Sequence, residues 1–386
     1  MGKKGVGGLF ETACIDCTAC YLGCTHGAID RVEDDIPRME VTIFVDGERL
    51  AVPEGITVRR ALEEIGLKSK RFPGDLGIYT PCETGGCWAC AQVIDGEVKP
   101  ICATPVREGM RVELAPMENQ VPLRRVSGYQ AHPVGGVGTP LSVKRSGSRF
   151  IEVAVFAHGC NLRCPQCQNY SITYDNVAPP THPKDAAAIL THQRKRYGVD
   201  RMAISGGEPT LNIPWLLDFF RELRSLNPAG RLHLDTNATV LTPGDVDRLV
   251  EAGLTDIGPD LKGLHVETFM RITGIGSRSL AERYLDNAWS VTRYVIDEYY
   301  PEPVFVGIGV PYNPRFMSLE ELREIGDRIA SIDSSIQVCA LNYFPVFRRA
   351  HMREPSPEEM GEAWRVLKES GLACVIAQTS LGYISK

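Results

Sequence analysis

Residues 158–169 read His-Gly-Cys-Asn-Leu-Arg-Cys-Pro-Gln-Cys-Gln-Asn, which places Cys160, Cys164 and Cys167 in a C-x3-C-x2-C spacing. The run follows Phe150–Phe156, an apolar stretch that reads as a strand. Three thiolates can hold three irons of a cubane [4Fe–4S] cluster and leave the fourth iron open to a ligand. An open iron marks a catalytic site, whereas a closed cysteine set marks a carrier. A zinc knuckle is the alternative reading of the spacing alone.

The chain has 386 residues, which suggests two or three domains. Hydrophobic residues make up 43%, enough for a packed core, and the net charge of −6 favours neither nucleic acid nor an anionic membrane. No apolar stretch is long enough to span a bilayer. The start, Met1-Gly-Lys-Lys, has no apolar core behind it and does not read as a secretion signal. Thirteen cysteines in a chain of this kind argue for metal rather than disulfides, and for the cytoplasm of an anaerobe. All but Cys339 and Cys374 fall into three spaced groups.

The first group is Cys14, Cys17, Cys20 and Cys24, a C-x2-C-x2-C-x3-C run. It resembles the bacterial ferredoxin signature, which implies a [4Fe–4S] cluster in a short segment over 1–38. Thr25 stands where that signature carries Pro, and there is no second run. The fourth ligand is therefore Cys24, or Cys339 or Cys374 folded back. Four thiolates also suit a closed zinc site.

The second group lies inside 39–116, which reads as a small domain. Val41, Ile43 and Val45 alternate with polar residues, and Asp46-Gly47 is a hairpin turn. Val58, Ala61, Leu62 and Ile65 have helical spacing behind the N-cap candidate Thr57. A second hairpin turns at Asp95-Gly96, and Arg111–Leu114 closes the unit. Cys82, Cys87, Cys90 and the remote Cys102 resemble the plant-type [2Fe–2S] spacing, and the order of elements matches the β-grasp ferredoxin fold. Gly85 and Gly86 would let backbone amides approach the sulfides. Zinc is again the alternative. Residues 117–148 are rich in glycine and poor in apolar anchors, and read as a linker or surface strap.

From 149 to 386 strand and helix patterns alternate, the sign of a parallel α/β sheet or barrel. Six strands are expected: Phe150–Phe156, Arg201–Ile204, Arg231–Leu234, Thr255–Ile257, Val304–Val310 and Ile336–Leu341. Five helices fall between them, at Lys184–Tyr197, Pro214–Leu226, Gly244–Ala252, Ser279–Asp297 and Leu319–Ile332. The polar motifs follow the strands, where such barrels place their chemistry. They are Ser205-Gly-Gly-Glu-Pro-Thr210, Asp235-Thr-Asn237 and Asp260-Leu-Lys262.

Together with the 158–169 run, these motifs resemble the radical S-adenosylmethionine (SAM) enzymes, in the group of the pyruvate formate-lyase activating enzyme. Phe269–Gly274, Asn287 and Tyr343-Phe-Pro345 echo the same group. The resemblance implies a partial (β/α)6 barrel whose open iron chelates SAM. It implies SAM contacts at Gly206, Gly207, Glu208, Pro209, Asp235, Asn237 and Lys262, with the SAM ammonium on Glu208. Gln166 departs from it, because the residue before the last cysteine is commonly aromatic. His158 receives no role, and Arg348-Arg349 suits either an anionic substrate or solvated surface charge. Cys339 and Cys374 sit in apolar runs and read as buried small residues.

The expected function is a radical SAM oxidoreductase that cleaves SAM to a 5′-deoxyadenosyl radical and abstracts hydrogen. The [2Fe–2S] and N-terminal [4Fe–4S] clusters would carry electrons from a donor such as a ferredoxin or flavodoxin. The substrate is a small molecule or cofactor, or else a partner protein, as for a glycyl-radical-enzyme activase. A non-catalytic iron–sulfur electron-transfer subunit is the reading from a different class.

Overall fold

The structure is a computed structural model that describes residues 14–31, 37–114 and 122–385. The reading of the chain start, Met1-Gly-Lys-Lys, lies outside the described residues.

Residues 40–113 build a five-stranded sheet with strands β1 (Glu40–Val45), β2 (Glu48–Pro53), β3 (Ala91–Ile94), β4 (Glu97–Pro100) and β5 (Arg111–Glu113). Their order is β2-β1-β5-β3-β4, with β1 parallel to β5 and the other pairs antiparallel. Both hairpins turn at Asp-Gly pairs with positive φ, at Asp46-Gly47 and Asp95-Gly96. The helix Val58–Glu64 starts at Thr57, whose side chain accepts from the Arg60 amide. Its apolar face meets Val41, Ile43, Val45 and Ile94 in a small core of its own.

All six expected strands of the larger unit form, in order and parallel. They are β7 (Glu152–Ala157), β8 (Arg201–Gly206), β9 (Arg231–Thr236), β10 (Asp256–Pro259), β11 (Phe305–Tyr312) and β12 (Gln337–Asn342). Every residue of β7 is buried, as in parallel strands covered on both faces. A seventh parallel strand, β13 (Cys374–Thr379), pairs with β12. A short apolar run does not reveal its own conformation by periodicity, which is why this strand escapes a sequence reading. The five expected helices form within a few residues of their expected ends, joined by Val266–Thr273 and Pro357–Glu369. Ile213–Leu226 shows why they dock. Asn212 caps its first turn, and Trp215, Phe219 and Phe220 are fully buried on one face.

The stretch read as a linker differs from that expectation. Strand β6 (Arg124–His132) pairs antiparallel with β7 through a register shift between Ser127 and Gln130. Residues 135–141 then cross the sheet on the face that carries His233 and Asp235, since alternate residues of a strand share a face. The Gly136 amide donates to Glu152 Oε1 at 2.9 Å, and Gln337 Nε2 donates to Thr139 O at 2.9 Å. The crossing therefore reaches from β7 to β12. It buries glycines and backbone rather than apolar side chains, so its sequence lacks the signature of packing. A Cβ on Gly138 would meet His233 Nε2, the Ile257 carbonyl carbon and the Gly258 amide at 2.6–2.7 Å.

Gly138→Ala should accordingly destabilise the larger unit by roughly 1–3 kcal/mol, the usual range for overpacking. Urea unfolding checks this, and an alanine variant as stable as its parent would mean that the crossing is not packed into the strands.

Candidate functional site

Cys160 follows β7 directly, and the loop that carries Cys164 and Cys167 folds back over the strand ends. The Arg163 amide donates to Thr273 O at 2.8 Å, which pins the loop to the end of Val266–Thr273. The Leu162 amide reaches Cys160 Sγ at 3.4 Å, Asn237 Nδ2 reaches it at 3.7 Å, and Thr173 Oγ1 lies 3.8 Å from Cys167 Sγ. The three sulfurs line one cavity of about 270 Å³ with Gly206, Gly207, Asp235, Asn237, Asp260 and Lys262. Residues Gly135–Val137 close its floor. Burial raises all three thiols, Cys164 to about 11 even though the Lys262 ammonium pulls it down. A protein-only interior therefore disfavours the thiolates, and a bound cation or cluster would reverse that preference.

Asp235 Oδ1 and Asp260 Oδ1 are buried without a hydrogen-bond partner. Lys262 Nζ donates to Asp260 Oδ2 at 3.3 Å, and against the effect of burial the Asp260 carboxylate and the Cys164 and Cys160 thiols raise its pKa. Three thiols beside two under-satisfied carboxylates and one ammonium are a suitable donor set for a three-cysteine cluster and an amino-acid-like ligand. Behind Asp235 lies a buried chain of charge. Glu152 Oε2 meets His233 Nδ1 at 3.1 Å, and His233 Nε2 approaches Asp235 Oδ1 at 3.1 Å without the alignment of a hydrogen bond. Burial alone would lower His233, but Asp235 and Glu152 outweigh it and raise the imidazole to about 10. Burial likewise opposes ionisation of Glu152, yet His233 and Arg201 hold it at about 2. Neither His233 nor Glu152 stands in a recognisable motif.

Glu208 departs from its expected role. It is fully buried and does not line the cavity. Its Oε1 accepts from the Thr210 amide (3.0 Å), Thr210 Oγ1 (2.6 Å) and Thr236 Oγ1 (2.7 Å), and its Oε2 from the Asn237 amide (2.7 Å). The carboxylate ties the end of β8 to the end of β9 and has no free face for an ammonium. Pro209 is buried as well, its carbonyl taken by Arg124 Nη1 at 2.6 Å. Arg124 is a fully buried cation that also donates to the carbonyls of His158 and Glu208. Burial lowers it to about 10. It was missed because it lies in the stretch read as a linker. Gln166 replaces the aromatic contact with a tether, donating to Tyr343 O and Phe344 O at 2.5 Å each.

The other cysteine groups differ in exposure. Cys82, Cys87, Cys90 and Cys102 are all buried, and their thiols lie close enough to shift one another, Cys82 downward through Cys102 and Cys87. Four converging thiols without polar side-chain partners fit a closed cluster. In the first group Cys20 is exposed and Cys14, Cys17 and Cys24 are half-buried. Cys339 and Cys374 lie in the adjacent strands β12 and β13, where their sulfurs meet Ala340 O and Gln337 Oε1. Their sulfurs are thus taken up within the sheet. Arg348 is neither a substrate group nor solvated charge, since it donates to the carbonyls of Tyr21, Leu22 and Cys24. Arg349 donates to Arg271 O and lies over the Phe316 ring. His158 is a buried loop residue held by Ser127 Oγ and Asp175 O.

Residues 154–300 match the radical SAM superfamily, and residues 38–116 match a 2Fe-2S iron-sulfur cluster binding domain. A GTP 3',8-cyclase of Actinobacillus pleuropneumoniae is 27% identical over 172 residues, 42% of this chain and 48% of that protein. An AdoMet-dependent heme synthase of Methanosarcina barkeri is 34% identical over 127 residues, 32% of this chain and 35% of that protein. The chain thus spans less than half the length of these curated relatives. Among solved structures, Streptococcus suis SuiB bound to S-adenosylmethionine aligns at 20% identity and TM-score 0.37, over 49% of this chain and 38% of that one. The chain contains a radical SAM domain and a 2Fe-2S ferredoxin-type domain. The cofactors that accompany them are a [4Fe–4S] cluster with SAM and a [2Fe–2S] cluster.

The Glu152–His233 pair carries a pH signature. A raised imidazole stabilises the fold fully below its ordinary pKa of about 6.5, and this stabilisation is lost as pH rises towards about 10. Glu152→Gln should destabilise the protein by about 3 kcal/mol near pH 6, the scale for breaking a buried pair. The gap to the parent should narrow as pH rises from about 6.5 to about 10. Urea melts across that range check the sign, and a gap that widens with pH would refute the ion pair.

Proposed function

We propose that this chain is a radical SAM enzyme: Cys160, Cys164 and Cys167 hold the SAM-binding cluster, and a hydrogen atom is abstracted from a substrate. One observation carries the reading. Three cysteines, with no fourth lining the cavity among the described residues, share it with Asp235, Asn237, Asp260 and Lys262 at the ends of consecutive strands. When bound, the cluster supplies the electron that cleaves SAM to methionine and a 5′-deoxyadenosyl radical. Asp235, which lines the cavity, takes the SAM ammonium, and the backbone of Gly206 and Gly207 flanks it. Lys262 meets the carboxylate. The crossing at 135–137 and the tether of Gln166 keep water from the reacting centre. Cys82, Cys87, Cys90 and Cys102 hold the [2Fe–2S] cluster. Cys14, Cys17, Cys20 and Cys24 hold a second [4Fe–4S] cluster. A low-potential protein in the cytoplasm, a ferredoxin or flavodoxin, supplies electrons.

The likeness to glycyl-radical activating enzymes rests on Asp235, Asn237 and Lys262 sharing this cavity, an arrangement equally suited to a small-molecule substrate. No helix among the described residues is long and apolar enough to cross a membrane.

Replacing Cys160, Cys164 and Cys167 with Ala should abolish dithionite-driven release of 5′-deoxyadenosine and leave the [2Fe–2S] spectrum in place. Product from the triple variant would exclude the assignment, and an intact parent that binds SAM without product would be an electron carrier. Asp235→Asn should weaken SAM binding about ten- to hundredfold, since a charge-assisted hydrogen bond contributes about 1.5–3 kcal/mol and tenfold is about 1.4 kcal/mol. Glu208→Gln should act on stability instead, losing about 1–3 kcal/mol because its amide faces backbone and hydroxyl donors. SAM titration and urea melts of both variants separate the roles, and the reverse pattern would return the ammonium to Glu208.

A further inference from the structure

The Cys82–Cys87 loop of the small domain faces inward, with both cysteines buried. Cys82 and Cys87 belong to the core of the larger unit, whereas Cys90 and Cys102 belong to the core of the small one. Successive carbonyls of the loop are claimed from outside the small domain. Arg163 Nη2 donates to Cys82 O at 2.8 Å, and Thr18 Oγ1 donates to Glu83 O at 3.2 Å. Arg125 donates through Nε to Gly85 O and through its amide to Gly86 O, each at 3.2 Å. Asn212 Nδ2 donates to Cys87 O at 3.0 Å.

Two glycines allow this approach. A Cβ on Gly86 would meet the Gly159 nitrogen at 2.6 Å, and a Cβ on Gly159 would meet the Cys87 nitrogen at 2.7 Å and the Cβ atoms of Cys82 and Cys87 at 3.0 Å. The next residue after Gly159 is Cys160. Arg163 spans the same gap, donating to Cys160 O at 2.6 Å through its other nitrogen. Arg124, fully buried, donates only to the carbonyls of Pro209, His158 and Glu208 among the described residues.

We propose that the Cys82–Cys87 loop is an internal redox port, closed to partner proteins and opening onto the catalytic cysteines across Gly159, with Arg163 as the bridging residue. The proposal rests on the function proposed above. One electron leaves the site held by Cys82, Cys87, Cys90 and Cys102, which is oxidised, and enters the site held by Cys160, Cys164 and Cys167, which is reduced. A low-potential one-electron donor replenishes it from outside this loop, by way of the N-terminal cysteine group, where Cys20 is exposed. Arg163 is a positioning residue whose cation also stabilises the more negative, reduced state of the neighbouring site.

The test uses the full chain with its clusters loaded. Protein reduced with dithionite and desalted anaerobically is mixed with SAM, and the visible absorbance of the [2Fe–2S] site is followed as 5′-deoxyadenosine is counted. The parent should reoxidise in step with product. Gly86→Ala, whose Cβ pushes the two loops apart, and Arg163→Gln should keep the [2Fe–2S] signature yet transfer about tenfold more slowly. In Arg163→Gln the [2Fe–2S] midpoint potential should fall. A second readout does not depend on SAM: the paramagnetic signal of the reduced [2Fe–2S] site should be broadened by the catalytic site and should sharpen in the Cys160, Cys164 and Cys167 triple variant. Parental transfer rates in both variants, or a signal unaffected by the triple variant, would overturn the port. If the parent makes no 5′-deoxyadenosine although the signal sharpens, the function fails and the port stands.

Discussion

The close contact between Gly86 and Gly159 is the constraint on which the rest of the arrangement depends. Neither position has room for a side chain, because each backbone fills the space a Cβ would need. The contact locks two cysteine loops together, and it does so where the first parallel strand delivers the catalytic run. A four-cysteine set that straddles two cores cannot be moved without disturbing both. The Cys82–Cys87 loop of the small domain is thereby part of the larger unit's core, while the rest of that domain keeps its own.

Around that contact, buried polar groups do two separate jobs. Glu208 accepts from four donors, and the two terminal nitrogens of Arg124 go to three carbonyls, so both fix backbone. Asp260 retains a buried oxygen without a hydrogen-bond partner, whereas Asp235 Oδ1 has the His233 imidazole beside it. Leaving such an atom unmet costs about 1–3 kcal/mol, so its persistence points to a ligand that meets it. The same logic separates the cysteine groups, since four thiols complete a site and three do not.

The sequence made much of this visible, for identifiable reasons. Cysteine spacing is local, so all three groups could be read from the chain, and strongly periodic segments such as Ile213–Leu226 declared themselves as helices. The motif at 205–210 was also visible, but its geometry was not. A carboxylate after two glycines looks like a ligand group, and only the folded chain shows that Thr236 and the Asn237 amide, from the next strand, consume it. Arg348 misled in the opposite way: a pair of arginines reads as surface charge until the N-terminal segment lies against it. The largest gap was 122–148. Glycine-rich sequence normally means a solvent-exposed connection, but here the absence of side chains permits burial.

That crossing also explains how a barrel of so few strands can keep a charged residue inside. Gly136 offers its amide to Glu152, Glu152 holds His233, and His233 faces Asp235. Each member pays the desolvation of the next, so the carboxylate that reaches the cavity is backed by a cation instead of by bare apolar wall. With the imidazole raised to about 10, that cation persists through neutral pH. Asp235 thus has the His233 imidazole behind its Oδ1 at 3.1 Å while its side chain lines the cavity. A side chain at Gly136 would meet both Asp235 oxygens and the imidazole, so the floor must be made of backbone for the charge chain to exist at all.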